Sequence, residues 1–262
     1  MTAIDSDLRL TRKSAIRAFL ETDRIYAGYA IGDLERGLFA QCEWFGRKRA
    51  GQGSLAALAL VFHGFKPSVL FLMGEPASLA GSLLDPALPR RIYLNCREEH
   101  LAVAGSRYEW EALAPMWRMS LGKISRHSLS ADPVELGPED VEELVALYAL
   151  GGGGAFDPAQ MKRGIYYGVI AGGSIVAVAG THLVSPTYGI AAIGNVFTHP
   201  VWRGRGFGKA ATRAVATALR RRGVHDVILN VSQANHTAIH LYEDIGFTRC
   251  CAFFEGPAST RK

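Results

Sequence analysis

The sequence lacks the patterns that would place it in several common protein classes. Its longest unbroken apolar runs, 55–62 and 69–73, are far shorter than the roughly 20 residues needed to cross a bilayer. The chain begins Met-Thr-Ala-Ile-Asp-Ser-Asp, without the basic and apolar stretches of a secretory signal. Its four cysteines form no C-x-x-C pair and match no zinc-ligand spacing. We therefore expect a cytoplasmic protein with free thiols, no metal and no membrane partner.

What the chain does contain is a globular composition with an excess of positive charge. Of 262 residues, 48% are hydrophobic and 20% are charged, and the formal net charge is +5. This composition predicts a folded chain, long enough for one large domain or two of ordinary size. A basic excess can serve a nucleic acid, an acidic surface or a small anionic ligand. Because the cations concentrate within 203–222, we expect a local anion site and no nucleic-acid partner.

The second half of the chain predicts alternating helices and strands. A hairpin is predicted where Ala171-Gly172-Gly173 separates two apolar runs. The pattern then predicts a strand over 189–198, a helix over 206–222, a strand over 226–231, a helix over 235–245 and a last strand over 247–255. The apolar stripe of the second helix is predicted to consist of Ala234, Ala238, Leu241 and Ile245. This order predicts a mixed α/β sheet covered by helices.

The first half repeats this rhythm in a shortened form. The pattern predicts helices at 13–21, 76–84 and 98–104 and strands at 41–45, 55–62, 69–73 and 91–95, and the segment 115–121 ends this half. Its third strand is followed by Gly74-Glu75-Pro76 rather than by an arginine–glycine turn, so we expect no anion site there. The polar segment 122–133 is the natural linker. We therefore predict two domains, 1–125 and 133–262, related by an ancient duplication.

One segment of the second half carries the clearest chemical signal. After the strand that ends near Pro200, the chain reads Arg203-Gly204-Arg205-Gly206-Phe207-Gly208-Lys209 and enters the long helix. The N–H groups at a helix start are unpaired and lie at the positive end of the helix dipole, so they attract an anion. Glycine lets the backbone approach a phosphate closely, and arginine adds charge-assisted donors. We predict that this turn binds a phosphate group.

Spacing separates the three phosphate-binding motifs that could apply here. A Walker A loop requires glycine at Arg203 and serine or threonine at Ala210, and so it fails. A dinucleotide G-x-G-x-x-G counted from Gly206 reaches a tolerated Ala211, but no acidic residue ends the next strand at Val231. The pattern R-x-x-G-x-G is met in full by residues 203–208.

That turn resembles the signature of the GNAT superfamily of acyl-CoA N-acyltransferases. A second block, 235–247, is similar to the superfamily's N-x-x-A-x-x-L-Y-x-x-x-G-F and follows the first at the usual distance. The resemblance covers about 134–256. It implies two tandem GNAT-like domains, each a central mixed sheet flanked by helices. The first would be a degenerate copy over 1–125, and the second would be catalytic over 133–262.

The resemblance also implies roles for individual residues. The pyrophosphate of acetyl-CoA would be bound by Arg203, Gly204, Arg205, Gly206, Phe207, Gly208 and Lys209. Main-chain groups of Val196, Phe197 and Thr198 would line the pantetheine arm. Asn235 would contact that arm, and Tyr242 would face the thioester sulfur. Seven residues at 3.6 per turn place this last pair on one helix face, about 10 Å apart, which supports the assignment.

The implied activity is acetyl transfer from acetyl-CoA to a primary amine of a small molecule or peptide, by direct attack of the amine. Tyr242 would stabilise or protonate the leaving thiolate. The strand before the turn offers no carboxylate as a base, which leaves Glu43, Asp157, Glu255 or water. The alternative is a CoA-binding sensor or structural module that transfers nothing. The acceptor, the acyl chain length and the oligomeric state stay open, with a homodimer among the options.

Overall fold

The structure is a computed structural model that describes residues 8–49, 53–85, 87–125, 130–151 and 156–261. Its contacts divide the chain into two compact units. The first comprises residues 1–117 together with 251–262, and the second comprises residues 118–250. Each unit has a mixed sheet flanked by helices, and this fold class confirms the sequence-based prediction.

The first unit is built on a sheet whose strands lie in the order β1-β2-β3-β4-β5, with the end of β13 beside β5. Its strands are β1 (Leu8–Arg9), β2 (Cys42–Lys48), β3 (Leu55–Phe62), β4 (Ser68–Gly74), β5 (Arg91–Cys96) and β6 (Tyr108–Glu109). Its helices are α1 (Lys13–Leu20), α2 (Gly28–Gly32), α3 (Arg36–Phe39), α4 (Pro76–Leu79) and α5 (Leu101–Gly105). Strand β4 is antiparallel to β3 and parallel to β5. Strands β3 and β4 are almost continuously apolar because both of their faces are buried.

The second unit has the strand order β7-β12-β11-β10-β9-β8. Its strands are β7 (Ala114–Leu121, shared with the first unit), β8 (Val134–Glu135), β9 (Tyr167–Ala171), β10 (Ser174–Ser185), β11 (Ile190–Thr198), β12 (Asp226–Ser232) and β13 (Phe247–Thr260, also shared). Its helices are α6 (Val141–Tyr148), α7 (Phe207–Arg221) and α8 (His236–Ile245). Strands β8 to β11 are antiparallel, whereas β11 and β12 are parallel.

Helices α6 and α7 cover opposite faces of the second sheet. Ile175 belongs to a buried cluster with residues of α6, whereas the adjacent Val176 packs with Ala210 of α7. Successive side chains of a strand point to opposite faces, so the two helices lie on opposite sides of β10. The buried side of α7 is rich in alanine, including Ala210 and Ala211. Such small side chains allow the helix backbone to lie close to the sheet.

Two details of the sequence-based description differ from the structure. The tail 251–262 belongs to the first unit, because Phe254–Ser259 of β13 pair with β5. The predicted helix over 76–84 consists of α4 and a separate 3₁₀ turn over Ser82–Leu84. The first of these differences reflects tertiary pairing that local periodicity does not encode.

Helix α8 ends at a glycine whose environment predicts a large stability effect. Gly246 has φ 118°, and a Cβ added there would lie 2.2 Å from the carbonyl oxygen of Lys123. We expect Gly246→Ala to lower the unfolding free energy by about 3 kcal/mol, because left-handed strain and overpacking add. Gly223→Ala is the control: its φ is 79° but a Cβ there meets open space, so only about 1 kcal/mol is expected. Urea denaturation of both variants measures the difference, and equal losses would refute the close contact.

Candidate active site

The glycine–arginine turn leads directly into α7. Gly204 and Gly206 have φ of 77° and 78°, a left-handed conformation that favours glycine. Gly206 is the N-cap of α7, and residues 203–206 are exposed to solvent. The first amides of the helix have no partner within the helix and face the same region as the turn. The geometry therefore supplies an accessible cluster of N–H donors at the positive end of a 15-residue helix.

The side chains of the turn rest on neighbouring aromatic rings. Arg205 lies over the ring of Trp202, with its guanidinium carbon 4.6 Å from the ring centroid. Arg203 lies 5.8 Å from the centroid of Phe197, and its Nε donates to the Thr198 carbonyl at 3.2 Å. Trp202 in turn packs against Phe207 at a centroid distance of 6.0 Å. The two guanidinium groups are thus held beside the turn by neighbouring rings and stay exposed to solvent.

Two further residues of the turn pack against their surroundings. A Cβ at Gly208 would lie 2.9 Å from Thr198 Oγ1, so glycine lets the start of α7 lie against the end of β11. The ammonium group of Lys209 forms an ion pair with Asp244 of α8 at 3.1 Å. His199 caps the turn over Pro200–Trp202, because its Nδ1 accepts from the amide of Val201 at 3.2 Å.

Strands β11 and β12 pair over only part of their length. Their parallel register runs from Ile190–Asp226 to Ile193–Leu229, whereas β11 continues to Thr198 and β12 to Ser232. Val196, Phe197 and Thr198 therefore lie beyond the end of the paired region, and β10 borders them on the other side. An opening between two parallel strands at the start of a helix can receive an extended ligand along its main chain.

Helix α8 carries the second predicted block, with one correction. Its buried residues are Ile239, Tyr242 and Ile245, whereas Ala234 is exposed. The predicted stripe was wrong because Ile239 was omitted; Ile239, Tyr242 and Ile245 follow each other at three-residue spacing and share the buried face. Tyr242 therefore belongs to the buried face of α8. Tyr242 keeps 7% of its surface exposed, and a ligand could reach the residue only through this part.

The two motif residues of this helix have different environments. Asn235 is the N-cap of α8, and its Oδ1 accepts from the amide of Ala238 at 3.1 Å. Tyr242 packs edge-on against Phe247, with ring centroids 6.0 Å apart. Burial raises the pKa of Tyr242 to about 12. Within the residues that the structure describes, no group forms a hydrogen bond with its hydroxyl.

Sequence reasoning missed a polar cluster centred on Asn195. Among the described residues, Asn195 is the only non-glycine with a positive φ, at 51°. Its side chain contacts Gln160, Tyr166 and His182, and its carbonyl accepts from the hydroxyl of Tyr148 at 2.6 Å. The one available signal was an asparagine inside a strand, because asparagine tolerates the left-handed region better than most residues do. We name these five residues the Asn195 cluster.

The three acidic residues that could act as a base are not brought together. Glu43 pairs with Arg9 at 2.7 Å and Glu255 accepts from Asn95 at 3.5 Å, both within the first unit. Asp157 lies in the second unit, where it caps a 3₁₀ turn by accepting from the amide of Ala159 at 2.8 Å. Its charge contributes to raising the pKa of Tyr166, after burial as the main cause. Asp157 is therefore the one of the three that lies beside the Asn195 cluster.

The corresponding strand end of the first unit is occupied by its own side chains. Strand β4, like β11, lies between an antiparallel and a parallel neighbour. The hydroxyl of Tyr26 donates to the carbonyl of Leu72 at 2.8 Å, and His100 lies 2.9 Å from the carbonyl of Gly74. Helix α4, which follows, has only four residues and begins at Pro76. The described part of this unit therefore offers no glycine–arginine turn ahead of a long helix.

In the described part of the chain, no group of three or more His, Cys, Asp or Glu side chains is placed to bind a metal ion. None of the described helices combines the length and apolar character needed to span a membrane.

The site thus combines an opening between the parallel strands β11 and β12 with an exposed glycine–arginine turn at the start of α7. Residues 130–247 match the family model described as the Acetyltransferase (GNAT) family. This match places a GNAT acetyltransferase domain at residues 130–247.

Individual relatives agree with this family. The chain is 47% identical over 60 residues to a mycothiol acetyltransferase of Thermobispora bispora, which covers 22% of this chain and 20% of that protein. A mycothiol acetyltransferase of Pseudarthrobacter chlorophenolicus is 39% identical over 98 residues, or 36% and 29% of the two chains. The matched segments thus span less than a third of these relatives.

Solved structures extend the similarity to the whole chain at the level of the fold. A GNAT-family protein from Novosphingobium aromaticivorans has a TM-score of 0.57 and 26% identity over 73% of this chain and 84% of its own. A tandem GNAT protein from the clavulanic acid biosynthesis pathway has a TM-score of 0.57 and 13% identity, covering 97% of both chains. The second likeness shows the fold alone, and it agrees with two GNAT-like units in one chain.

Proposed function

We propose that the second unit is an acetyl-CoA-dependent N-acetyltransferase that acetylates a primary amine of a small molecule or peptide. The observation that carries this proposal is the left-handed glycine turn before α7, placed where β11 and β12 separate. An anionic diphosphate at the turn and an extended arm in the opening would be bound by adjacent parts of one site. The family match supports acyl transfer from CoA, and the geometry suggests where each part of the donor lies.

The turn would bind the pyrophosphate of acetyl-CoA mainly through main-chain amides. Gly204, Gly206 and Gly208 allow the backbone to approach the diphosphate oxygens without an intervening Cβ. Arg203 and Arg205 are exposed and already oriented by the rings beneath them, so they would add charge-assisted hydrogen bonds. Lys209 would contribute through its position in the first helical turn, although Asp244 shares its charge.

The pantetheine arm would extend between β11 and β12. Amide groups of the arm would bond main-chain groups of Val196, Phe197 and Thr198, much as an added strand does. The carbonyl of Thr198 already accepts from Arg203, so its amide would be the group available to the ligand. Asn235 caps α8 with Oδ1 and would offer its Nδ2 to the arm.

The reaction would be a direct transfer. The neutral amine nitrogen attacks the thioester carbonyl, the C–N bond forms and the C–S bond breaks, and the thiolate leaves with the bonding electron pair. The amine loses a proton to water or to Asp157, and the thiolate gains one from solvent. Holding the two reactants in line would supply much of the rate enhancement.

Tyr242 would stabilise the leaving thiolate by a hydrogen bond. A tyrosine with a pKa of about 12 is a poor proton donor to a thiolate whose conjugate acid has a pKa of ~8.5, because that difference costs about 5 kcal/mol. Its protonated hydroxyl, lacking a partner in the described residues, is well suited to donate a hydrogen bond without losing its proton. We therefore assign it thiolate stabilisation first and proton donation second.

Calorimetry followed by a thiol-release screen tests the proposal. We expect CoA to bind the full chain with micromolar affinity, and free thiol to appear when acetyl-CoA is combined with a suitable amine. The names of the relatives make the amine precursor of mycothiol the first acceptor to test, followed by amino sugars, polyamines and peptide N-termini. CoA binding without thiol release from any amine would favour a CoA-binding sensor, and no CoA binding at all would refute both functions.

A further inference from the structure

We propose that Asn195 is a positioning residue, which holds β11 in the shape that receives the pantetheine arm. This inference rests on the proposed function, because it concerns the same donor site. The cluster around Asn195 lies at the first residues of β11 beyond its paired region with β12. Asn195 itself need not contact the donor or the acceptor to act in this way.

The first part of the argument is a bulge in β11. Val178 pairs with Phe197 and Gly180 pairs with Gly194, so Asn195 and Val196 together lie opposite a single residue of β10. A bulge of this kind bends its strand and re-aims the following residues. The left-handed φ of Asn195 is part of this bend, and it costs about 1 kcal/mol unless neighbouring contacts compensate.

The second part is the set of hydrogen bonds that provides this compensation. Asn195 Nδ2 donates to Gln160 Oε1 and to the Tyr166 hydroxyl, both at 2.8 Å. Its Oδ1 lies 3.2 Å from His182 Nε2. Since Oδ1 can only accept, His182 must donate from Nε2. Burial lowers the pKa of His182, so the ring is neutral at pH 7 and its tautomer is set by Asn195.

The third part is that the surrounding backbone is shaped for these rings. A Cβ at Gly180 would lie 2.1 Å from the ring of Tyr166, and a Cβ at Gly194 would lie 2.2 Å from the ring of His182. Glycine at both positions, on paired strands, lets the two rings lie flat against the sheet and reach Asn195. Together with the Tyr148 hydroxyl on the carbonyl of Asn195, they restrain the bulge from several elements.

These restraints set the orientation of the three residues that follow Asn195 in the chain. With the bulge held, the main chain of Val196, Phe197 and Thr198 has one fixed orientation toward the opening. Without the Asn195 side chain, the same segment could relax toward a regular pairing with β10. The site would then lose affinity for the pantetheine arm but not for the pyrophosphate, which the turn at residues 203–209 binds separately.

Two ligands separate these contributions in one calorimetric experiment on the full chain. CoA carries both the pyrophosphate and the arm, whereas ADP carries the adenosine and the pyrophosphate without the arm. We expect Asn195→Gly, which keeps the left-handed φ accessible, to weaken CoA binding about tenfold or more, as expected when several hydrogen bonds of ordinary strength are lost. ADP binding should stay within about twofold, and a general loss of structure would not produce this split.

A neighbouring pair of tyrosines provides the matched control. Tyr166→Phe removes one partner of Asn195 and keeps the ring over Gly180, so we expect a smaller loss of CoA affinity with ADP unaffected. Tyr167→Phe removes the next hydroxyl along the chain, which donates to Glu135 at 3.3 Å on the exposed side, and should change neither ligand. If Asn195→Gly does not fold, the comparison of Tyr166→Phe with Tyr167→Phe still tests the inference.

The outcomes distinguish the two proposals. If the unaltered chain binds CoA and the ratio of ADP to CoA affinity stays the same in Asn195→Gly and Tyr166→Phe, the inference about Asn195 is overturned and the proposed function survives. If the unaltered chain binds no CoA, the proposed function and the inference fall together.

Discussion

Gly206→Ala is expected to weaken CoA binding by about 100-fold or more. The residue combines φ 78° with a tight contact, since a Cβ there would lie 2.6 Å from Ser130 Oγ. Alanine in the left-handed region costs roughly 1–2 kcal/mol, and relief of that strain would turn the amides of the turn away from the diphosphate. Isothermal titration of CoA into the full chain measures the change.

Gly223→Ala is the matched control for this variant. Gly223 follows the other end of α7 with nearly the same φ, 79°, and nothing lies within 4 Å of an added Cβ. It should lose a similar amount of stability from strain but keep its CoA affinity. If both variants bind CoA as the unaltered chain does, the diphosphate does not lie on this turn.

Tyr242→Phe is expected to lower kcat by about 100-fold while changing the dissociation constant of CoA by less than threefold. The variant removes only a hydroxyl from a largely buried ring, so the packing against Phe247 should persist. Stopped assays of thiol release at saturating acetyl-CoA measure kcat, and calorimetry measures CoA binding. Unchanged turnover would remove Tyr242 from the reaction.

The raised pKa of Tyr242 predicts the form of the pH profile. With a pKa of about 12, the hydroxyl stays protonated throughout the range from pH 6 to pH 10. Turnover should therefore rise with pH as the acceptor amine loses its proton, with no decline from Tyr242 below about pH 11. A falling limb near pH 9 that disappears in Tyr242→Phe would show that the hydroxyl transfers its proton instead.

Local patterns predicted most of the regular elements of this chain. The strand over 55–62 coincides with β3, and the helix expected over 206–222 is α7 at Phe207–Arg221. These elements combine strong periodicity with glycine punctuation, which is where local sequence is most informative. Helices α2 and α3 were missed because they have five and four residues, the first beginning and ending in glycine.

Only part of the candidate site could likewise be predicted from local sequence. The glycine–arginine turn was predictable because its residues are consecutive. Spacing excludes the Walker A loop, and the missing acidic residue at Val231 disfavours the dinucleotide motif. The Asn195 cluster was not, because its members lie at 148, 160, 166, 182 and 195. They meet only where α6, the 3₁₀ turn over Pro158–Lys162 and the strands of the second unit pack together. The error in the α8 stripe had another cause. Ala238 and Leu241 are half-buried beside the face that Ile239, Tyr242 and Ile245 form, so the stripe was placed one residue off.

The path of β13 bears on how this protein can be dissected. Its first residues follow α8 in the second unit, whereas residues 251–260 supply a strand neighbour for β5 in the first. A break placed within residues 122–133, which lie inside the second unit, would thus leave the amino-terminal fragment without the strand beside β5. The carboxy-terminal fragment would carry residues 251–260 without their partner strand. Exchanging one unit between homologous proteins therefore requires two sequence junctions, one before residue 118 and one after residue 250.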